Sequence, residues 1–162
     1  MSQEMREQAH EIKRALLAHC RAYVSELLSE AREGITRSQE AANLEEKSSA
    51  GDKFETQRAM MHLQMELFIE RLGVAQRQED SLNMINIRAM SEISEVTPGA
   101  LVQLEGRHYF IALSAPPLTL NGVTYTCLSQ EAPLYQAMRG LREGDWVEWG
   151  EGDDELEVVR VV

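Results

Sequence analysis

Asp52 and Glu55 stand three residues apart in the stretch Gly51-Asp52-Lys53-Phe54-Glu55-Thr56-Gln57-Arg58. Paired carboxylates at this spacing suit a hard, oxygen-seeking cation. Mg²⁺ keeps several of its waters and accepts one or two carboxylates from outside, so such a pair can complete a shared ion site without holding the metal alone. Lys53 and Arg58 lie beside the pair. The same spacing is also a capping box, with Asp52 as N-cap and Glu55 at N3, both favoured by the positive end of a helix dipole. The two readings are compatible, because a cap can present Asp52 in a fixed geometry until a metal competes for it.

The remaining reactive side chains form no comparable set. His10, His19, His62 and His108 show no ligand spacing with one another or with Cys20 and Cys127, so surface or seam positions are expected for them. Cys20 falls in a helical pattern and Cys127 in a strand-like one, which predicts two separate buried thiols rather than a disulfide framework or a zinc site. Met60, Met61 and Met65 read as seam packing, with a flexible face able to adapt to a partner. Tyr109, Phe110, Tyr125, Trp146 and Trp149 read most simply as core aromatics, a pocket lining being the alternative. No glycine-rich phosphate loop, Ser-His-Asp set or Cys-His set is present.

The acidic pair needs an element to present it. Up to about Met90 there is no proline, and Ala, Glu, Gln, Leu, Met and Arg dominate, all strong helix formers. Ala9, Ile12, Leu16, His19, Tyr23 and Leu27 recur at spacings of three and four, and Ala31, Ile35 and Leu44 extend that face. Beyond the turn, Met61, Met65, Phe68, Leu72, Ala75 and Leu82 repeat the pattern, with Glu79 interrupting it. These are heptad-like seams on two arms of roughly 40 residues, about 60 Å of helix each. Folding at Gly51 sets Leu44 near Glu55, Ala31 near Phe68, Leu27 near Leu72 and Leu16 near Leu82. Gly34 and Gly73 each cost about 1 kcal/mol relative to Ala within a helix. At Gly34 a kink or a close helix approach is expected, because ending the helix there would leave an unusually long loop.

All four prolines, Pro98, Pro116, Pro117 and Pro133, fall in the remainder, and the composition breaks near Ser91–Pro98. Residues 100–104, 108–113, 122–128, 145–149 and 156–162 read as five short strands punctuated by Glu105-Gly106, Asn121-Gly122 and the acidic run 151–154. Pro133 opens and Gly140 closes one short helix. The expected fold is α+β: a long antiparallel two-helix coiled coil over 1–92 with its tip near 47–56, then a small antiparallel sheet domain with one short helix over 93–162.

Bulk charge narrows the partners. A formal net charge of −11 and a pI near 4.8 argue against wrapping DNA or RNA by phosphate neutralisation. Nucleic acid is then reached through a protein partner or a local basic spot. The N-terminus has no apolar leader segment and no window approaches a membrane span, so a cytoplasmic protein is expected.

In this layout the chain resembles the Gre transcript-cleavage factors of bacterial RNA polymerase. Gly51-Asp52-Lys53-Phe54-Glu55 is similar to that family's tip pattern. Ser129-Gln130-Glu131-Ala132-Pro133-Leu134, followed by Gly140 and Glu143-Gly144-Asp145-Trp146-Val147, is similar to its Ser-Pro-Leu, small helix, Gly and Gly-Asp-x-Val segment. The resemblance covers both halves in the same order. It implies an FKBP-like fold for the second half, docking on RNA polymerase, and insertion of the coiled coil into the secondary channel. It also implies that Asp52 ligates or orients a second Mg²⁺ shared with the polymerase, and that Glu55 positions water or the ion. Lys53 and Arg58 would face RNA phosphate near the 3′ end. The chain would then be no enzyme itself, but an activator of cleavage of backtracked RNA by the polymerase. The family's tip continues with a second acid and a tyrosine, where this chain has Thr56-Gln57-Arg58-Ala59. A secondary-channel regulator without cleavage activity therefore stands as the alternative, beside a coiled-coil adaptor or an FKBP-like chaperone.

Overall fold

The computed structural model describes residues 3–46, 52–86, 94–150 and 155–162, with side chains described for all of these except 45–46 and 52–54. Two long helices come first, α1 (Gln3–Glu46) and α2 (Asp52–Asn83). Strands β1 (Leu101–Leu104), β2 (Arg107–Ala112), β3 (Ala115–Leu120) and β4 (Val123–Ser129) follow. Helix α3 (Pro133–Met138) and strands β5 (Trp146–Glu148) and β6 (Glu155–Val161) complete the order. The expected architecture of a long helical pair, then a sheet with one short helix, is the observed one. By contacts the chain forms two compact units, Tyr23–Asp80 and Met1–Ala22 with Ser81–Val162.

In the unit Tyr23–Asp80 both helices run unbroken through their glycines. Gly34 is a close approach: a Cβ there would collide with the Phe68 ring. The missing side chain thus lets an aromatic ring sit directly on the α1 backbone. Arg71 covers the same ring, its guanidinium carbon 5.6 Å from the centroid. Ser38 Oγ donates to the Gly34 carbonyl at 2.8 Å, so the local backbone oxygen has a second partner. Ala31 and Phe68, expected at one level, line the same groove of about 450 Å³ with Leu27 and Ala75.

The seam on α2 follows the expected positions from Met61 onward, with Ala75 and Leu82 buried and Met61, Met65, Phe68 and Leu72 half-buried, whereas Met60, read as seam packing, is exposed on another side of the helix. Its interruption differs from the expectation. Glu79 is exposed, and Gln78 takes the inward position between Ala75 and Leu82, its Oε1 buried with no hydrogen-bond partner in the structure. On α1 the buried line is Ala9, Lys13, Leu16, Leu17, Cys20, Val24, Leu28 and Ala31. Ile12, His19, Tyr23 and Leu27 flank it half-buried, and Leu44 is exposed. The buried stripe is wider than a two-helix seam, since the first residues of α1 cover a sheet as well. A flat sheet surface accepts neighbouring positions such as Leu16 and Leu17 together.

The unit Met1–Ala22 with Ser81–Val162 holds a six-stranded sheet in the order β3-β4-β2-β1-β6-β5. It is six-stranded and mixed, where five antiparallel strands were expected. The added strand is β3, which contains Pro116 and Pro117. Proline cannot donate to a ladder, so it survives in a sheet only at an edge or a bulge. Here it has both, since β3 is an edge strand whose register with β4 shifts between Ala115 and Leu118. Strand β4 then inserts beside β2 and pairs with it in parallel, Phe110 opposite Cys127. Both tight hairpins were legible: Glu105 and Gly106 (φ 40° and 82°) join β1 to β2, and Asn121 and Gly122 (φ 51° and 79°) join β3 to β4. Paired positive φ values give the turn whose twist matches the strands.

One sheet face packs on α3, around Val96, Val102, Leu104, Ile111, Leu134, Tyr135, Met138, Val147 and Val158. The other carries Phe110 and Cys127 against the start of α1, where Cys20 meets Cys127. Core packing accounts for Phe110 and Tyr125, which are buried. It does not account for Trp146 and Trp149, which are exposed on and just after the edge strand β5. A three-residue edge strand has a single buried position, Val147, and leaves its neighbours to solvent.

Candidate functional site at the start of the second helix

Helix α2 begins at Asp52, so Asp52 and Glu55 both fall in its first turn. The side chains of Asp52 and Lys53, like the turn residues 47–51, lie outside the described residues. Glu55 and Arg58 are described, one helical turn apart and both exposed. Every residue from Glu55 to Met60 is exposed, and the first half-buried one is Met61. On α1 the matching stretch thins in the same way, with Ala41 and Ala42 half-buried and Asn43 and Leu44 exposed. The residues described at this end of the unit bury little, Leu44 and Met60 included. Its carboxylate at Glu55 is open to solvent on the first turn of α2.

Glu55 and Arg58 thus place one carboxylate and one guanidinium in solvent, a turn apart on one helix. Among the described residues no group of three or more His, Cys, Asp or Glu side chains is arranged to hold a metal ion. The histidines have other neighbours. His19 Nε2 donates to the Pro116 carbonyl at 2.7 Å, tying α1 to the edge strand β3. His108 meets Tyr125 edge-on, with centroids 5.5 Å apart.

The second motif proves to be packing and turn chemistry. Pro133 sits at the start of α3, and Leu134, Tyr135 and Met138 point into the core. Before the helix, Ser129 Oγ accepts from the Glu131 amide at 3.1 Å, and Gln136 Nε2 donates to the Gln130 carbonyl at 2.6 Å. In the Gly144-Asp145-Trp146-Val147 segment, an Asp145 carboxylate oxygen accepts from the Arg142 amide at 2.7 Å. Gly144 (φ 90°) donates to the Val158 carbonyl at 2.8 Å, and Val147 is buried. These residues shape the turn that feeds β5.

Two features escaped sequence reasoning. Cys20 and Cys127, read as separate thiols, are in contact with their sulfurs 3.7 Å apart. Only the docking of α1 on β4 brings them together. Lys13 is buried to 2 % exposure in the line of α1 that faces the sheet, and burial holds its ammonium down to about 8. A lysine on an amphipathic helix gives no signal that its position is the inward one.

Comparison with known proteins follows this geometry. No family profile and no curated relative matches the chain. Two solved structures of Gfh1 are similar to it. The first, of the transcription factor Gfh1, shares 20% identity over 85% of this chain and 90% of that one, with a TM-score of 0.32. The second, GreA factor homolog 1 of Thermus thermophilus, shares 18% identity over 86% and 92%, with a TM-score of 0.31. Among the described residues no helix is long and apolar enough to cross a membrane.

Proposed function

We propose that the chain is a Gre-like transcription factor that binds RNA polymerase and presents Asp52 and Glu55 in the polymerase secondary channel. There the pair supports Mg²⁺-dependent cleavage of backtracked RNA. The observation that carries this reading is the bare helical end of the Tyr23–Asp80 unit, where Glu55 and Arg58 are exposed in the first turns of α2 beside Asp52. In this reading Asp52 completes a shared Mg²⁺, Glu55 orients water or the ion, and Lys53 and Arg58 offset RNA phosphate. The metal and the reacting RNA belong to the polymerase, so the chain turns over no substrate alone.

A second reading keeps the docking and drops the cleavage. It is favoured by Thr56-Gln57-Arg58-Ala59, which supplies no second acid after Glu55. The test is a stalled elongation complex supplied with Mg²⁺ and the full chain. Shortened RNA that requires the protein, and that is lost in Asp52→Ala/Glu55→Ala while polymerase binding persists, supports the first reading. Binding without cleavage by the wild type supports the second, and absence of binding removes both.

A further inference from the structure

We propose that Cys20 and Cys127 form an oxidisable thiol pair, a disulfide-forming site that takes a peroxide as its oxidant and then cross-links α1 to β4. The two sulfurs lie 3.7 Å apart, although 107 positions separate them in the chain. Disulfide formation needs them to close to about 2 Å, a change that side-chain rotation can supply where two backbones already face one another. Both residues belong to one compact unit, so no rearrangement between units is required.

The pair is chemically asymmetric. The Cys20 thiol donates toward the Cys127 sulfur, and this contact lowers the Cys127 thiol while raising that of Cys20. Burial opposes the effect at Cys127 and reinforces it at Cys20. Cys127 is therefore the thiolate former and Cys20 the resolving thiol. The Cys127 sulfur attacks the peroxide, forming an S–O bond and breaking the O–O bond, with hydroxide leaving to become water. Cys20 then attacks the sulfenic sulfur, the S–S bond forms, and the hydroxyl departs with the Cys20 proton as a second water. Two thiols lose two electrons and two protons, and one peroxide becomes two waters.

Access comes through an edge of the sheet. Cys127 is paired with Ala115 of β3, the edge strand that is bulged after Ala115 and holds Pro116 and Pro117, neither of which can donate to the ladder. Local opening of such a strand costs less than global unfolding. The His19 hydrogen bond to the Pro116 carbonyl holds this edge beside Cys20.

The test treats the reduced full chain with graded hydrogen peroxide. The intact mass is expected to fall by two hydrogen masses. Alkylation under denaturing conditions should find no free thiol until dithiothreitol restores both. Non-reducing proteolysis should link the Cys20 peptide to the Cys127 peptide, and the oxidised protein should melt roughly 5 °C or more above the reduced one. In Cys20→Ser, a dimedone adduct is expected on Cys127. Two free thiols persisting at doses that already oxidise exposed methionines overturn the proposal. Masses of sulfinic or sulfonic acid, or a cross-link between two chains, overturn it equally. The readouts on the wild type stand even where the serine variant fails to fold.

Discussion

The two compact units solve the same problem with very different amounts of buried surface. The sheet unit is packed on both faces, and Phe110, Ile111, Met138 and Val158 are fully enclosed. The unit Tyr23–Asp80 buries Val24, Leu28, Ala31 and Ala75, while Phe68 and Leu72 stay half-buried. It leaves Met60, Leu63, Leu67 and Ile69 more than half exposed. Burial of apolar surface is the main stabilising term, so the sheet unit should carry most of the stability. The helical unit keeps only enough contact to hold two helices in register. An element that gains little from its own packing can lose side chains at its far end without unfolding.

The largest contrast is expected from cavities. Phe110→Ala should cost about 3–5 kcal/mol in urea unfolding, whereas Leu63→Ala on the exposed face of α2 should change it by less than about 0.5 kcal/mol. Comparable losses from the two would break the division of labour. Next comes Gly34→Ala, which sets a methyl group into the Phe68 ring; a clash of about 1–3 kcal/mol, offset by about 1 kcal/mol of helix propensity, should leave a net loss of up to about 2 kcal/mol. Combining it with Phe68→Leu should recover part of that loss, and strict additivity of the two substitutions would show that the ring does not rest on Gly34.

Lys13 offers a pH-dependent probe of the sheet unit. Its ammonium is held down to about 8 by burial, against an ordinary value of 10.5. Between those values the unfolded chain binds more protons than the folded one, so stability rises with pH through this window, by up to about 1.4 kcal/mol per unit. Tyr125, raised by burial, begins to act in the opposite direction near the top of the window. Lys13→Met should therefore flatten the gain seen in the wild type between pH 8 and 10, as read by denaturant midpoints. An unchanged gain would place its origin elsewhere. The smallest expected effect on folding is that of Glu55→Ala, below about 0.5 kcal/mol, although in the proposed function it lowers RNA cleavage sharply. A large loss of stability would make Glu55 a structural cap first.

Much of the architecture could be read from spacing alone. The α2 seam, the five regular strands and the short helix opened by Pro133 all follow from periodicity and turn residues, because helices and hairpins are local. Glu105-Gly106 and Asn121-Gly122 announce their turns by residue type. Strand β3 was hidden by its prolines, which argue against a strand until its place at an edge is known. The inward line of α1 holds at Ala9, Leu16 and Ala31 and is displaced by one position at Ile12 and His19. Its pattern is compatible with a helical partner or a sheet, and the choice moves Lys13, Leu17 and Cys20 inward.

The candidate site divides along the same line. The sequence by itself determined that Asp52 and Glu55 open a helix after a turn, with Lys53 and Arg58 beside them, since capping chemistry and spacing are local properties. Tertiary structure alone decided that Glu55 and Arg58 stand clear of any packing, that Phe68 rests on Gly34, that Lys13 is buried, and that Cys20 touches Cys127. Each of these depends on which faces meet across long stretches of chain. No periodicity within one helix or strand carries that information.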